Sequence, residues 1–160
     1  MRIAVVAVGR LKAGPERDLA ARYGGRLAAG AKAVGLPAPD LREVDESRAR
    51  SADTRRREEA RAMEPLLAPG SLRIALDERG RDWTSDAFAD VLRRARDEGR
   101  SVGFAIGGPD GLDPDFRAGL DHVLRFGAIT MPHGLVRVLL LEQIYRAATI
   151  LAGHPYHRGD

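Results

Sequence analysis

The sequence predicts an α/β fold, a mostly parallel sheet flanked by helices. Three observations carry that prediction. Short apolar runs alternate with amphipathic segments along the whole chain, in the order β-α-β-α-β-α-β-(α)-β-α. The first run, Ile3-Ala4-Val5-Val6-Ala7-Val8, is apolar at every position, as a central strand covered on both faces must be. The chain has 160 residues, which suits one domain spanning 1–160 with enough core to need no disulfide or metal staple.

The elements follow in order. The opening strand closes at Gly9. A helix is expected over Pro15 to Ala29, with Pro15 in its first turn. Gly35 to Asp40 is a loop, and Leu41 to Val44 a weak strand. Asp53 to Leu67 reads as a helix whose charge run forms a solvated face, with Asp53 and Arg57, and Glu58 and Arg61, at neighbour spacing. Pro69-Gly70 breaks the chain, and Leu72 to Leu76 is the next strand. Thr84 is a candidate N-cap; Phe88, Val91, Leu92 and Ala95 share one helical face; Gly99 is the stop. Ser101 to Ile106 is a buried strand ending in a glycine-rich turn. A short helix is expected over Asp115 to Leu120, a strand over Phe126 to Met131, and a long helix from Gly134 to Leu151. Ligands in such sheets bind beyond the carboxyl ends of the strands. That singles out Leu76 to Gly80, Gly107 to Gly111 and Phe126 to Gly134.

Composition excludes several classes. There is no cysteine, hence no disulfide framework and no thiolate metal site, a pattern that fits a cytoplasmic protein. Basic residues number 26, all but two of them arginine, against 23 acids, so the net charge is only +3. That is compatible with a nucleic-acid partner without establishing one. No run approaches the roughly 20 apolar residues of a membrane span. The first apolar run is too short for a signal peptide. No serine, among Ser47, Ser51, Ser71, Ser85 and Ser101, sits in a Gly-x-Ser-x-Gly elbow.

Three constellations carry potential chemistry. Ile106-Gly107-Gly108-Pro109-Asp110-Gly111-Leu112 lets backbone approach a ligand, but it is neither the dinucleotide fingerprint nor a phosphate loop. On its residues alone it reads equally as a tight structural turn. All four histidines (His122, His133, His154 and His157) lie in the last 39 residues. Pro155 between His154 and His157 argues against a helical metal pair, and no metal is expected. A histidine-rich tail suits proton transfer or substrate positioning, with a frayed end as the bland reading. In the last helix Glu142, Gln143, Arg146 and Thr149 fall within about 120° of one another. The remaining positions are apolar except Arg137, opposite that cluster. So apolar a helix needs covering on nearly all sides, which predicts a homodimer. Arg137 then needs a partner, within an interface or on a ligand.

The order of these motifs carries a resemblance. Val8-Gly9-Arg10-Leu11-Lys12, the Ile106-to-Leu112 loop, Met131-Pro132-His133, Leu135-Val136-Arg137-Val138, Glu142-Gln143-x-Tyr145-Arg146-Ala147 and His154-Pro155-Tyr156-His157-Arg158 resemble the ribosomal large subunit methyltransferase H family. These are 23S rRNA pseudouridine N3-methyltransferases of the SPOUT class. The resemblance covers the whole chain and is weakest from Ala29 to Gly70; Gly159-Asp160 extends past the motif. It implies a C-terminal trefoil knot within about residues 71–160, a homodimer, and S-adenosylmethionine as cofactor. The rule that chains are unknotted would otherwise lead to an ordinary doubly wound sheet. By the same resemblance the cofactor is expected on Leu76, on Gly107 or Gly108, and on Phe126, Gly127, Ala128, Ile129, Thr130 and Met131. Tyr156, His157 and Arg158 are the expected catalytic group. His157 would handle the N3 proton, Tyr156 would stack on the base, and Arg158 would hold phosphate or an imide anion. Arg137, His133 and His154 are substrate or interface candidates. The expected substrate is the assembled ribosome, because +3 is a weak grip on naked RNA. The alternatives are a knotted methyltransferase acting on tRNA, a non-catalytic RNA-binding module, and a metal-dependent hydrolase using the histidines.

Overall fold

The computed structural model describes residues 1–158; the Gly159-Asp160 extension lies outside them. The first strand, β1 (Ile3–Val8), leads to α1 (Pro15–Gly30) and a 3-10 turn (Ala31–Val34) that ends at Gly35. Then come β2 (Asp40–Val44), α2 (Ala52–Met63) with a further 3-10 turn (Glu64–Leu66), β3 (Leu72–Asp82) and α3 (Ser85–Asp97). The last elements are β4 (Val102–Ile106), α4 (Pro114–Ala118), β5 (His122–Arg125) and α5 (His133–Leu151). The five strands form one parallel sheet in the order β2-β1-β4-β3-β5.

Strand alternation divides the core between the two faces of the sheet. Val5 and Ala7 of β1, Ile74, Phe104 and Ile106 pack beneath α1, α3 and α5, against Leu27, Leu92, Leu140 and Ile144. Val6 and Val8 face the other way, toward Met63, Leu67, Leu112 and Leu120. The caps act as the sequence demands. Thr84 Oγ1 accepts a hydrogen bond from Ala87 N at 3.1 Å. Gly99, at φ +66°, takes the left-handed turn after α3.

Two strands differ from expectation. β3 runs on to Asp82 because the chain leaves register after Leu76 and pairs again at Arg81↔Leu124 and Asp82↔Arg125. Gly80 makes that return possible: a Cβ there would lie 2.7 Å from backbone atoms of Val123 and Leu124. The last strand lies over His122–Arg125, not over Phe126 to Met131. Gly127, at φ +136°, turns the chain out of the ladder. The apolar side chains that read as a strand instead edge a cleft, and Ile129 is 73% exposed.

Candidate active site

The carboxyl ends of β3, β4 and β5 open into one cleft of about 620 Å³. Leu76 to Arg79 form one wall, Ile106 to Leu112 the second, and Leu124 to Gly127 with Ile129 to His133 the third; Val136 of α5 closes the floor. The three segments picked from the sequence therefore converge. Leu76, Gly107, Gly108, Phe126, Gly127, Ile129, Thr130 and Met131 all line the cleft, and Ala128 does not. Thr130 Oγ1 donates to Glu78 at 2.8 Å, linking two walls.

The glycine loop is a tight turn closed by Gly111 N donating to Gly108 O at 2.9 Å. The reason for its glycines differs from the expected approach of a ligand. A Cβ on Gly107 would lie 2.7 Å from the Gly111 carbonyl carbon, and one on Gly108 would lie 2.9 Å from Val8 Cγ1. The glycines let the loop fold onto itself and onto β1. The turn's shape is thus both structural and the wall of the cleft.

The tail lies elsewhere: Tyr156, His157, Arg158 and His154 do not line the cleft. The polar strip of α5 is its docking surface. Tyr156 Oη donates to Glu142 Oε1 at 3.1 Å, and the same oxygen accepts from Arg146 Nε at 3.0 Å. The Tyr156 ring meets Tyr145 edge-on at 4.9 Å and lies 4.9 Å beneath the Arg146 guanidinium. Burial, hydrogen bonding with Tyr23 and the Glu142 charge all push the phenol pKa well above its ordinary value, so it stays protonated. His157 Nδ1 sits 3.4 Å from Arg146 Nη1, and its Nε2 lies 3.7 Å from Asp86 Oδ2. That Nε2 is buried without a hydrogen-bond partner among the described residues. His154 Nδ1 accepts from Tyr156 N at 3.1 Å, and Arg158 is exposed.

Arg137 is buried and finds its partners within its own chain. It donates to Glu43 Oε1 at 2.7 Å and to Val8 O at 2.8 Å, and also to Gly9 O. It pins α5 to the ends of β1 and β2 directly behind the cleft. Burial pulls its pKa down and Glu43 opposes that shift. His133 lines the cleft, and its Nε2 approaches Gly9. A Cβ on Gly9, at φ +82°, would lie 2.9 Å from Glu46 Oε1 and 3.4 Å from that Nε2.

Sequence reasoning missed three groups. Asp77 lines the cleft with its side chain only 4% exposed, paired with Arg117 at 3.0 Å. Glu59, placed on a solvated face, is buried and accepts from Ser47 N at 2.9 Å. Arg55 pairs with Asp110. The charge run of α2 hid the last two, since its inward face carries only Ala60 and Met63 as buried apolar anchors. Among the described residues no group of three or more metal-ligating side chains gathers. No described helix is long and apolar enough to cross a membrane.

Comparison with known proteins places this geometry. The family model described as predicted SPOUT methyltransferase matches residues 1–157. A protein of Methylorubrum populi named ribosomal RNA large subunit methyltransferase H is 59% identical, over 100% of this chain and 98% of its own. One of the same name from Sinorhizobium fredii is 58% identical over 99% of both. The crystal structure of a probable methyltransferase from Bordetella pertussis shares the fold, with a TM-score of 0.55, 17% identity, and coverage of 92% of this chain and 96% of that one. The chain belongs to the SPOUT methyltransferase family, in the group whose members carry the name ribosomal RNA large subunit methyltransferase H.

Proposed function

We propose that this protein methylates N3 of a pseudouridine in 23S rRNA, using S-adenosylmethionine, on the assembled ribosome in the cytoplasm and as a homodimer. The observation that carries the cofactor assignment is the convergence of Leu76, the glycine loop and Phe126 to Met131 on one cleft. The cleft also suits a phosphate-free ligand. Its arginines are already engaged, Arg79 with Asp77 at 3.7 Å and Arg125 with Asp82 at 2.8 Å. Leu76, Ile129 and Met131 offer apolar walls for an adenine, and backbone at Gly107, Gly108 and Gly127 offers hydrogen bonds. When bound, the cofactor supplies a methyl group on a sulfonium.

The chain's own residues then have distinct tasks. The cleft aligns the acceptor, which is most of what an in-line transfer needs. His157 handles the N3 proton, Tyr156 stacks on the base, and Arg158 holds a phosphate. Because the tail packs on its own α5 and off its own cleft, a second copy's tail completes each site. An apolar strip supports that pairing. Leu135 and Leu139 of α5 are 41% and 36% exposed one turn apart, and Leu19 of α1, which packs on α5, is 36% exposed.

The test is methyl transfer from labelled S-adenosylmethionine to assembled ribosomes, free 23S rRNA and tRNA, with mapping of the modified nucleotide. Label at pseudouridine N3 in ribosomes is the expected result. Label confined to tRNA, or none in any RNA, overturns the proposal.

A further inference from the structure

A helix with no part in the proposed chemistry grips the tip of the glycine loop. We infer that Arg55 of α2 is a positioning residue for the cofactor: acting through Asp110, it fixes the turn that forms one wall of the cleft. The inference rests on the assignment of that cleft to S-adenosylmethionine.

Within the loop, the Gly108–Gly111 turn is closed by backbone pairing between its two end glycines, and its tip residues Pro109 and Asp110 line the cleft. A short turn tip of this kind is mobile unless something outside ties it down. Arg55 supplies the tie. Its Nε lies 2.6 Å from Asp110 Oδ2 and its Nη2 lies 3.0 Å from Oδ1, a two-pronged pair. Its remaining Nη1 donates to Ala49 O at 3.0 Å and Arg50 O at 3.2 Å. The guanidinium is thereby held in its plane from the other side. Both side chains are about three quarters shielded from solvent, at 28% and 26% exposed.

Two neighbours on the same helix extend the grip. Arg56 Nη1 reaches Asp110 O at 3.4 Å. Glu59 Oε2 lies 3.7 Å from where a Cβ on Gly108 would sit, with its Oε1 anchored by Ser47 N. One face of α2 thus meets the turn at its tip and at its base. Only a planar fork satisfies both Asp110 oxygens and the two carbonyls together, so lysine is no equivalent. The pair also holds the Asp110 carboxyl well below its ordinary pKa, keeping it charged. A wall fixed in advance spares the ligand the cost of ordering it, so the grip acts on binding and not on the reaction of the bound complex.

The experiment combines calorimetric titration of S-adenosylmethionine with steady-state methyl transfer for the unsubstituted protein, R55A, R55K, D110A and R55A/D110A. R55A is expected to raise the cofactor Kd and KM about tenfold, as contacting pairs commonly do, and to leave kcat at saturating cofactor within about twofold. R55K recovers only part of the affinity, and R55A adds nothing in the D110A background. Should R55A fail to fold, D110N weakens the same pair without changing the turn's shape and is read the same way. Unchanged cofactor affinity in a folded R55A that merely melts earlier overturns the inference, as do fully additive R55A and D110A penalties. Absence of binding to the unsubstituted protein is distinct: it overturns the cleft assignment and the inference with it.

Discussion

Phe126 to Met131 and His154 to Arg158 are both short irregular segments rich in apolar or aromatic side chains, and they are held in opposite ways. In the first, Thr130 makes the one side-chain hydrogen bond given above, Ile129 stands in solvent, and the backbone turns away from its strand. In the second, Tyr156 is bonded to Glu142, wedged on Tyr145 and covered by Arg146, and His157 reaches Asp86. A segment whose side chains face empty space is shaped for a ligand. A segment fastened to its own helix is shaped to present whatever it leaves exposed, here Arg158. In the proposed function, binding and chemistry therefore fall to different surfaces of one chain.

The contrast can be broken at either end. Gly107→Val is expected to have the largest effect. Its branched side chain meets the Gly111 backbone, the turn opens, and cofactor binding is lost in calorimetry. His157→Ala is expected to lower methyl transfer about a hundredfold or more while leaving cofactor affinity unchanged. Full transfer by that variant removes the histidine from the mechanism. Mixing a tail-truncated chain with the Gly107→Val chain should restore part of the activity if sites are shared between copies, and none if each chain serves itself.

Smaller effects sharpen the same division. Arg137→Ala strips Val8 O and Gly9 O of a buried donor behind the cleft, at a cost of about 3 kcal/mol in denaturant unfolding. The smallest concerns Glu59. Burial, with like charge from Asp110 and Glu46, raises its pKa above the ordinary carboxylate value against an opposing hydrogen bond from Ser47 N. The folded state therefore favours the protonated acid. That stabilisation is complete below the ordinary carboxylate pKa and is lost as pH rises through the raised one. Glu59→Gln, measured by unfolding across that window, should flatten the dependence and gain less than about 1 kcal/mol at neutral pH.

Much of the fold was legible in the chain, because its signals are local. The all-apolar Ile3–Val8 run, the Thr84 cap with its Phe88-to-Ala95 face and the Gly99 stop depend on residues within a turn or two of one another. The convergence of three strand ends followed from parallel topology. The strand misplaced over Phe126 to Met131 shows the limit: an apolar run reads alike whether its partner is a neighbouring strand or a cleft. α5 shows it again. Its polar strip was visible, but not that the tail would lie on it.

The sequence by itself determined the alternation of elements, the parallel sheet, the three cleft-forming segments and, through its motifs, the family. The tertiary structure alone decided that Arg137 serves β1, 129 positions away, that Arg55 holds Asp110, 55 positions away, and that Glu59 is buried beneath a charged helix face. Local periodicity records how a segment pairs with itself. Charged side chains choose partners by proximity in space, and the packing of α2 and α5 on the sheet creates that proximity only after the chain has folded.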